Sequence, residues 1–346
     1  MPASRQIKSH EELLERAGVD ESEWVVERVA IRTYPVAMKI DDTPHVVQLH
    51  YVGVNLFPLP DRVFEVRPVE FVIKRKPRRP NRGPNRPDAT SLVFTDVHYP
   101  YQDDAAVDIM LAIAEESRPQ DVICLGDLID CEQLGRWPKD PERRTSIAEE
   151  CVQGGHLLAE VTAVTDAGLY RFHEGNHEER LRRNLWGMAE DRKFAQILQL
   201  PGVRETLTWE RQLGLDSLGW EFVPYPKFST LRDKLVLIHG DKAPAKGYVS
   251  RIYQEKYRKS GLSGHTHRIG SYYHTGHDGT AQAWHEIGML GAIRDDFTAA
   301  PNWQQGFVLV HWYGDRYAVE QISIHQGRAV WRGRSYGSVV RAEEAA

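Results

Sequence analysis

The chain has 346 residues, of which 41% are hydrophobic and 27% are charged, and its formal net charge is −5. This composition is typical of a globular protein with a sizeable core. Because the net charge is negative, the chain as a whole is not a basic protein that would bind a polyanion through its overall charge. Three cysteines without regular spacing, no secretory signal and no apolar run of membrane-spanning length lead us to expect a reducing, cytoplasmic location without membrane association.

The sequence pattern of the N-terminal part predicts a small α+β module over residues 1–73. A capping-box pattern predicts a short helix at residues 9–17. Residues 24–37 and 45–57 are rich in Val, Ile, Tyr and Leu, and partial alternation predicts a strand in each. A third strand is predicted at 63–73.

Residues 74–88 form a basic, proline-rich linker. The segment contains four prolines and seven Lys or Arg before its single acid, Asp88. Proline rigidity and charge repulsion oppose compact packing. Two interpretations stay open: a solvated tether, or an arm that contacts the phosphates of DNA beside the catalytic domain.

We expect an α/β domain over residues 89–335 and a frayed tail over residues 336–346. Apolar strand-like runs alternate with segments of helical periodicity, which indicates right-handed βαβ units and a parallel sheet. The strand-like runs are 91–95, 121–125, 169–173 and 235–238, with a shorter one at 261–263.

Five polar elements each follow one of these predicted strands. They are Asp96-Val97-His98, Gly126-Asp127-Leu128-Ile129-Asp130, Gly175-Asn176-His177-Glu178, His239-Gly240 and Gly264-His265-Thr266-His267. Taken singly, most of them are ordinary polar turns. Together they place Asp, Asn and His side chains at the strand ends where ligands gather in open α/β sheets. These donors suit divalent Mn, Fe, Zn, Ni or Co, and seven of them suffice for two ions that share a carboxylate.

The ordered set resembles the motifs of the calcineurin-like metallophosphoesterase superfamily, over residues 91–325. The resemblance implies a β-sandwich flanked by helices and a centre of two divalent ions, with manganese favoured over iron, zinc and nickel. It assigns Asp96, His98 and His267 to the first ion, Asn176, His239 and His265 to the second ion, and Asp127 to both.

The resemblance also implies two residues that act without binding metal. His177 would stand near the leaving-group oxygen as general acid or transition-state stabiliser, and the Asp130 carboxylate would orient it. Arg180, Arg182 and Arg183 follow on a predicted helix, where we expect at most one of them to face the substrate phosphate.

The predicted reaction is hydrolysis of a phosphoester by metal-activated water. The N-terminal module, the basic linker and the segment Pro301-Asn302-Trp303-Gln304-Gln305-Gly306-Phe307 resemble a group of phage-encoded phosphoesterases. This favours a phosphodiesterase or nuclease acting on nucleic acid, in the host cytoplasm. The alternative is a phosphomonoesterase acting on phosphoprotein or small phosphorylated metabolites. The sequence Asp130-Cys131-Glu132, where protein phosphatases usually have Asp-Arg-Gly, counts against a protein phosphatase. A binding protein with a degenerate site is a third interpretation, disfavoured because every ligand position is filled.

Overall fold

A computed structural model describes most of the chain, which divides into two compact units, residues 1–67 and 68–346. The described residues are 24–40, 43–58, 87–136, 145–200, 202–244, 249–293 and 300–337. The predicted helix at 9–17, the strand at 63–73, most of the basic linker and the end of the predicted tail lie outside them. The proposed domain boundaries therefore stay predictions.

The first unit contains an antiparallel pair of long strands. β1 spans Trp24–Ile40 and β2 spans Thr43–Pro58. Pairing runs from Trp24 opposite Pro58 to Ile40 opposite Thr43, with a register shift between Val26 and Arg28. Both strands extend beyond the bounds predicted from the sequence, because the ladder continues up to the pair Ile40 and Thr43.

The second unit alternates strands and helices through its first half and is mostly strands in its second. Its strands are β3 (Ala89–Phe94), β4 (Asp121–Cys124), β5 (Leu169–His173), β6 (Glu221–Val223), β7 (Ser229–Leu231), β8 (Leu235–Ile238), β9 (Gly261–Ser263), β10 (Ile269–Thr275), β11 (Ala281–Ile287), β12 (Gln305–Tyr313), β13 (Arg316–Ile324), β14 (Ala329–Trp331) and β15 (Arg334–Tyr336). Its helices are α1 (Asp104–Ser117), α2 (Ile147–Thr165), α3 (Glu179–Met188), α4 (Arg192–Leu198), α5 (Val203–Thr206), α6 (Trp209–Gln212), α7 (Leu215–Leu218) and α8 (Val249–Tyr257).

The two long helices begin at side-chain caps. The Asp103 carboxylate accepts a hydrogen bond from the Ala106 N–H at the start of α1. Ser146 and Glu149 form a reciprocal capping box at the start of α2. These caps satisfy N–H groups that have no partner within the helix, so both helix starts are fixed by the sequence.

The strands form two main sheets. One has the order β13-β12-β3-β4-β5-β6, and the other has the order β10-β11-β9-β8-β7. Strands β3, β4, β5 and β6 run parallel to one another, as the alternation of strands and helices predicts, and β12 pairs with β3 in the antiparallel sense. In the second sheet β8 and β9 are also parallel. Each sheet therefore collects the carboxyl ends of neighbouring strands at one edge.

The core lies in three layers that follow the two-residue period of the strands. In β3, Leu92 and Phe94 pack against α1 and α2, whereas Val93 faces the other sheet. In β8, Leu237 joins this intersheet core, and Val236 and Ile238 pack under α8. Alternate side chains of a strand point to opposite faces, so strands buried on both faces read as continuous apolar runs.

The architecture is thus α/β, with two sheets packed face to face and helices on both outer faces. This is the β-sandwich flanked by helices that the resemblance implies, and the predicted fold class is confirmed. Among the described helices, none combines the length and apolar character needed to cross a membrane.

Candidate metal centre

All seven predicted metal ligands lie on loops that leave the carboxyl ends of strands. Asp96 and His98 follow β3, Asp127 follows β4, Asn176 follows β5, His239 follows β8, and His265 and His267 follow β9. Both sheets contribute, because β3, β4 and β5 belong to one and β8 and β9 to the other. The loops meet where the two sheets bring these strand ends together.

The backbone of five of these residues is left-handed. The φ angles are 52° at Asp96, 55° at His98, 49° at Asp127, 71° at His265 and 57° at His267. Residues other than glycine adopt this region rarely, and the cost is of the order of 1 kcal/mol or more at each site. Hydrogen bonds hold two of them: the Asp96 N–H donates to the Gly126 carbonyl and the His98 N–H to the Asp127 carbonyl, both at 3.0 Å. Such clustering of disfavoured backbone is typical of a functional site.

The first group of donor atoms surrounds the Asp96 carboxylate. Asp96 Oδ1 lies 3.3 Å from His267 Nε2 and 3.6 Å from His98 Nε2, and the two imidazole nitrogens are 3.0 Å apart. Asp96 Oδ1 is buried and has no hydrogen-bond partner among the described residues. Asp96 Oδ2 accepts the His265 N–H at 2.9 Å. One oxygen is therefore fixed by the fold, and the other is left facing two imidazoles.

The second group surrounds His239. Its Nδ1 lies 2.7 Å from the Leu125 carbonyl oxygen, which can only accept, so Nδ1 carries a proton. Its Nε2 lies 3.1 Å from Asp127 Oδ2 and 3.0 Å from Asn176 Oδ1. The His265 ring stands edge-on to His239, with 5.3 Å between ring centroids.

These contacts fit a cation better than they fit the protein alone. His239 Nε2 faces two oxygen acceptors, so either a second proton or a cation must lie between them. Burial opposes the charged imidazole, yet Asp127 raises the pKa of His239 to about 9. Burial also opposes ionisation of Asp127, yet His239 and His177 hold its pKa well below the usual value. Metal ions replace such protons, because ligands bind in their deprotonated forms.

The imidazole of His265 is in the form that binds metal. Burial, followed by the neighbouring charge on His239, lowers the pKa of His265 to about 4. Burial likewise lowers the pKa of His267. Neutral imidazoles keep a lone pair for coordination.

Three groups of side chains in the described part of the chain could each hold an ion, because their donor atoms lie within 4.8 Å of one another. They are Asp96, His98 and His267; His98, Asp127 and His177; and Asp127, His239 and His265. The first and third coincide with the two predicted sites. Asp127 Oδ2 lies 3.8 Å from His98 Nε2 as well as 3.1 Å from His239 Nε2, so it stands between them. The binding of metal itself remains a prediction.

His177 and Asp130, the two predicted residues outside the ligand set, also lie beside the ligands. Their contacts differ from those that the resemblance implies. His177 Nδ1 lies 2.6 Å from the backbone carbonyl oxygen of Asp130 and 3.5 Å from its carboxylate. The carboxylate lies closer to His98 Nδ1, at 3.2 Å. The backbone of Asp130 therefore orients His177, and its side chain orients His98.

Glu178 is the residue whose importance the sequence did not reveal. Its carboxylate is fully buried and accepts four backbone N–H groups, those of Asp127, Leu128, Ile129 and Gly175, at 2.7 to 3.2 Å. An ionised carboxylate has enough lone pairs to accept all four. Glu178 thus ties the loop after β4 to the loop after β5. The signal available in the sequence was an acid placed directly before a helix, beside a glycine loop.

Two partly buried aromatic rings stand next to the ligand imidazoles. Trp303 lies edge-on to His267, with 4.8 Å between centroids, and Tyr225 lies edge-on to His239 at 6.3 Å. Each ring adjoins a different predicted ion. The segment that contains Trp303 was singled out in the sequence, whereas Tyr225 was not.

Glycines allow the ligand loops to approach closely. A Cβ on Gly264 would lie 2.3 Å from Thr95 Oγ1 and 2.5 Å from Asp96 Oδ2. A Cβ on Gly175 would lie 2.1 Å from Asp127 Oδ1. The motif glycines are therefore required by the packing of one ligand loop on the next.

We expect Gly264→Ala to weaken metal binding without removing a ligand. The new methyl group must displace Asp96 from the donor group that it shares with His98 and His267. The expected loss of Mn²⁺ affinity is about 10- to 100-fold, as for other changes that misplace a ligand. Titration calorimetry of the metal-free protein measures it. Gly187→Ala is the matched control, because no atom lies within 4 Å of its Cβ position. Equal affinities for the two variants would contradict the expectation.

Comparison with known proteins finds relatives in phages. The chain is 27% identical over 251 residues to the Gene 54 protein of Mycobacterium phage D29, covering 68% of this chain and 94% of that protein. It is 27% identical over 264 residues to the Gene 54 protein of Mycobacterium phage L5, covering 70% and 96%. No family model matches the chain.

Similar solved structures include three proteins of low identity. Wild-type Vps29 complexed with Zn²⁺ from Entamoeba histolytica is 15% identical, with 70% of this chain and 96% of that chain covered and a TM-score of 0.38. Yfce, a phosphoesterase from E. coli, is 11% identical, with 72% and 98% covered and a TM-score of 0.35. The nuclease MPE of Pseudomonas putida is 15% identical, with 66% and 87% covered and a TM-score of 0.27.

Proposed function

We propose that this protein is a phosphoester hydrolase that works with two divalent metal ions. The observation that carries the proposal is the convergence of acceptor atoms that need a proton or a cation between them, at His239 Nε2, together with the buried Asp96 Oδ1 that has no hydrogen-bond partner among the described residues. Asp96, His98 and His267 would hold one ion, Asn176, His239 and His265 the other, and Asp127 both. Such ions neutralise phosphate charge and lower the pKa of water to near neutrality.

The residues around the ions supply orientation and a hydrogen-bonding group. His177 lies beside the ligands, with Nε2 3.9 Å from Asp127 Oδ2, and its ring is fixed through Nδ1 by the Asp130 carbonyl. It is therefore placed to form a hydrogen bond to the leaving-group oxygen of a bound ester. The proposed mechanism uses metal-activated water and needs no nucleophilic side chain. The three cysteines are buried.

The proposed substrate is a phosphate diester in nucleic acid. Tyr225 and Trp303 flank opposite ends of the ligand set, where bases on either side of a scissile phosphate could stack. The basic segment 74–88 adds seven positive side chains that suit a polyanion. Because its relatives are phage proteins and its cysteines are unpaired, we place its action in the host cytoplasm.

The preference for diesters is tested with chromogenic and nucleic acid substrates. With Mn²⁺, we expect kcat/KM for bis(p-nitrophenyl) phosphate to exceed that for p-nitrophenyl phosphate by about tenfold or more, because the aromatic rings offer contacts to a group on each side of the phosphorus. Labelled single- and double-stranded DNA should be cleaved, and chelation should abolish both activities.

A reversed preference, with no cleavage of DNA, would instead indicate a phosphomonoesterase. Replacing the seven basic residues of the linker by Gln separates its two interpretations. A phosphate-contacting arm loses salt-dependent DNA affinity in this variant, and a tether does not.

A further inference from the structure

Arg180 is the one arginine of α3 that faces the centre. Arg182 pairs with Glu174 at 2.6 Å and with Glu179 at 3.3 Å, away from the metal ligands. The Arg183 side chain is 68% exposed and pairs with Glu179 at 2.8 Å. Arg180 instead reaches back from the second residue of α3 to His177.

Arg180 donates a hydrogen bond to the imidazole of His177. Its Nη2 lies 3.1 Å from His177 Nε2, and a guanidinium can only donate. His177 Nδ1 must carry the proton that it shares with the Asp130 carbonyl, so Nε2 is the acceptor. The nitrogen of His177 that faces Asp127 is therefore already occupied by a donor from Arg180.

The remaining contacts of Arg180 hold it in place, and they include one long ion pair. Its Nη1 donates to the Asp130 carbonyl at 2.7 Å and lies 3.4 Å from that of Cys131. Within the described part of the chain, Arg180 pairs with Asp130 Oδ1 at 3.7 Å, whereas Arg182 approaches Glu174 to 2.6 Å. The Asp130 carboxylate also contacts His98 and His177, so the guanidinium, three-quarters buried beside the predicted reaction site, shares its counter-ion.

We propose that Arg180 binds the phosphoryl group of the substrate and, by doing so, releases His177. A phosphate oxygen is a stronger acceptor for a guanidinium than a neutral imidazole, because the hydrogen bond is assisted by charge on both partners. On substrate binding, Nη2 turns from His177 Nε2 to a non-bridging phosphoryl oxygen. His177 Nε2, freed of this donor, can then take up a proton released by the attacking water and donate it to the leaving-group oxygen. The inference rests on the proposed function, since it assumes a phosphoester at the centre.

The simpler role for Arg180 is a structural tie to the loop at Asp130 and Cys131. That role predicts that its removal loosens the loop and disturbs the metal ligands that the loop carries. A substrate-binding role predicts instead that metal stays bound and that phosphate affinity falls. The two roles are separated by measuring metal content and phosphate affinity on the same protein.

The test uses Arg180→Ala, Arg180→Lys and, as matched control on the same helix, Arg183→Ala. For the Mn²⁺-loaded proteins we expect Arg180→Ala to keep the metal content of wild type and to bind inorganic phosphate about 10- to 100-fold more weakly, as the loss of a charge-assisted hydrogen bond predicts. With a diester substrate, KM should rise and kcat should fall as well, because both binding and the placement of His177 are affected.

Arg180→Lys should recover part of the phosphate affinity but little kcat, because lysine lacks the planar fork. Added guanidinium ion should partly restore turnover in Arg180→Ala. Arg183→Ala should match wild type throughout.

Two results would overturn the inference: loss of metal from Arg180→Ala, or equal phosphate affinities of Arg180→Ala and Arg183→Ala. The failure of the proposed function looks different. In that case the wild-type protein, loaded with metal, hydrolyses none of the esters, yet the phosphate titration still decides whether Arg180 binds an anion.

Discussion

Asp127→Asn should empty both metal sites and reduce turnover by a factor of the order of 10³ or more. The carboxylate stands between the two donor groups, 3.1 Å from His239 Nε2 and 3.8 Å from His98 Nε2. An amide keeps the shape of the side chain and one acceptor oxygen, but it lacks the charge that balances a divalent ion. Metal analysis after dialysis and hydrolysis of a diester in Mn²⁺ measure the two effects.

Asp121→Asn is the matched control for this experiment. Asp121 is also a buried carboxylate, but it begins β4, whereas Asp127 follows the other end of that strand, and it pairs with Arg232 at 2.9 Å. We expect this variant to retain metal and activity, whatever its effect on the melting temperature. Two ions bound with wild-type affinity by Asp127→Asn would exclude Asp127 as the shared ligand.

His177→Ala should lower kcat by about 10²- to 10⁴-fold while leaving both ions bound, because it removes a proton-transfer group and no assigned ligand. The backbone N–H of residue 177, which donates to Asp127 Oδ1 at 2.9 Å, survives the substitution. The loss should be greatest for esters with poor leaving groups, which depend most on a hydrogen bond to the departing oxygen. A series of aryl phosphodiesters of increasing phenol pKa measures this dependence.

The same variant decides between two roles that the geometry permits. His177 shares a donor group with His98 and Asp127 that could itself hold an ion. If His177→Ala loses an ion, His177 is a ligand, and the assignment of a role in proton transfer is wrong. Retained metal with a uniform loss of rate for all leaving groups would also contradict that role.

The sequence predicted that these polar side chains would come together because the elements that carry them follow strands of a parallel sheet. Asp96 and Asp127 each follow an apolar run, Asn176 follows the strand-like run 169–173, and parallel strands deliver such positions to one edge. It also predicted that these strands are buried on both faces, since apolar residues in β4 and β8 follow one another without alternation. Both inferences use only the order of residues along one strand, which a single sequence records.

Contacts between loops were beyond the reach of such patterns. Glu178 accepts N–H groups from a loop about 50 residues earlier in the chain, and nothing in the local sequence of either loop specifies that pairing. The backbone carbonyl of Asp130 contacts His177, whereas its carboxylate contacts His98. This division of contacts depends on the angle at which one loop crosses another. Arg180 could not be separated from Arg182 and Arg183 for the same reason, because the rotation of α3 is set by tertiary packing.

The left-handed backbone at Asp96, His98, Asp127, His265 and His267 has an evolutionary consequence. Glycine at any of these positions would relax the main chain, so selection for thermal tolerance alone would act against the side chains that we propose as metal ligands. Laboratory lineages of this protein screened only for heat resistance should therefore drift toward inert scaffolds, and those screened for turnover should retain a lower melting temperature.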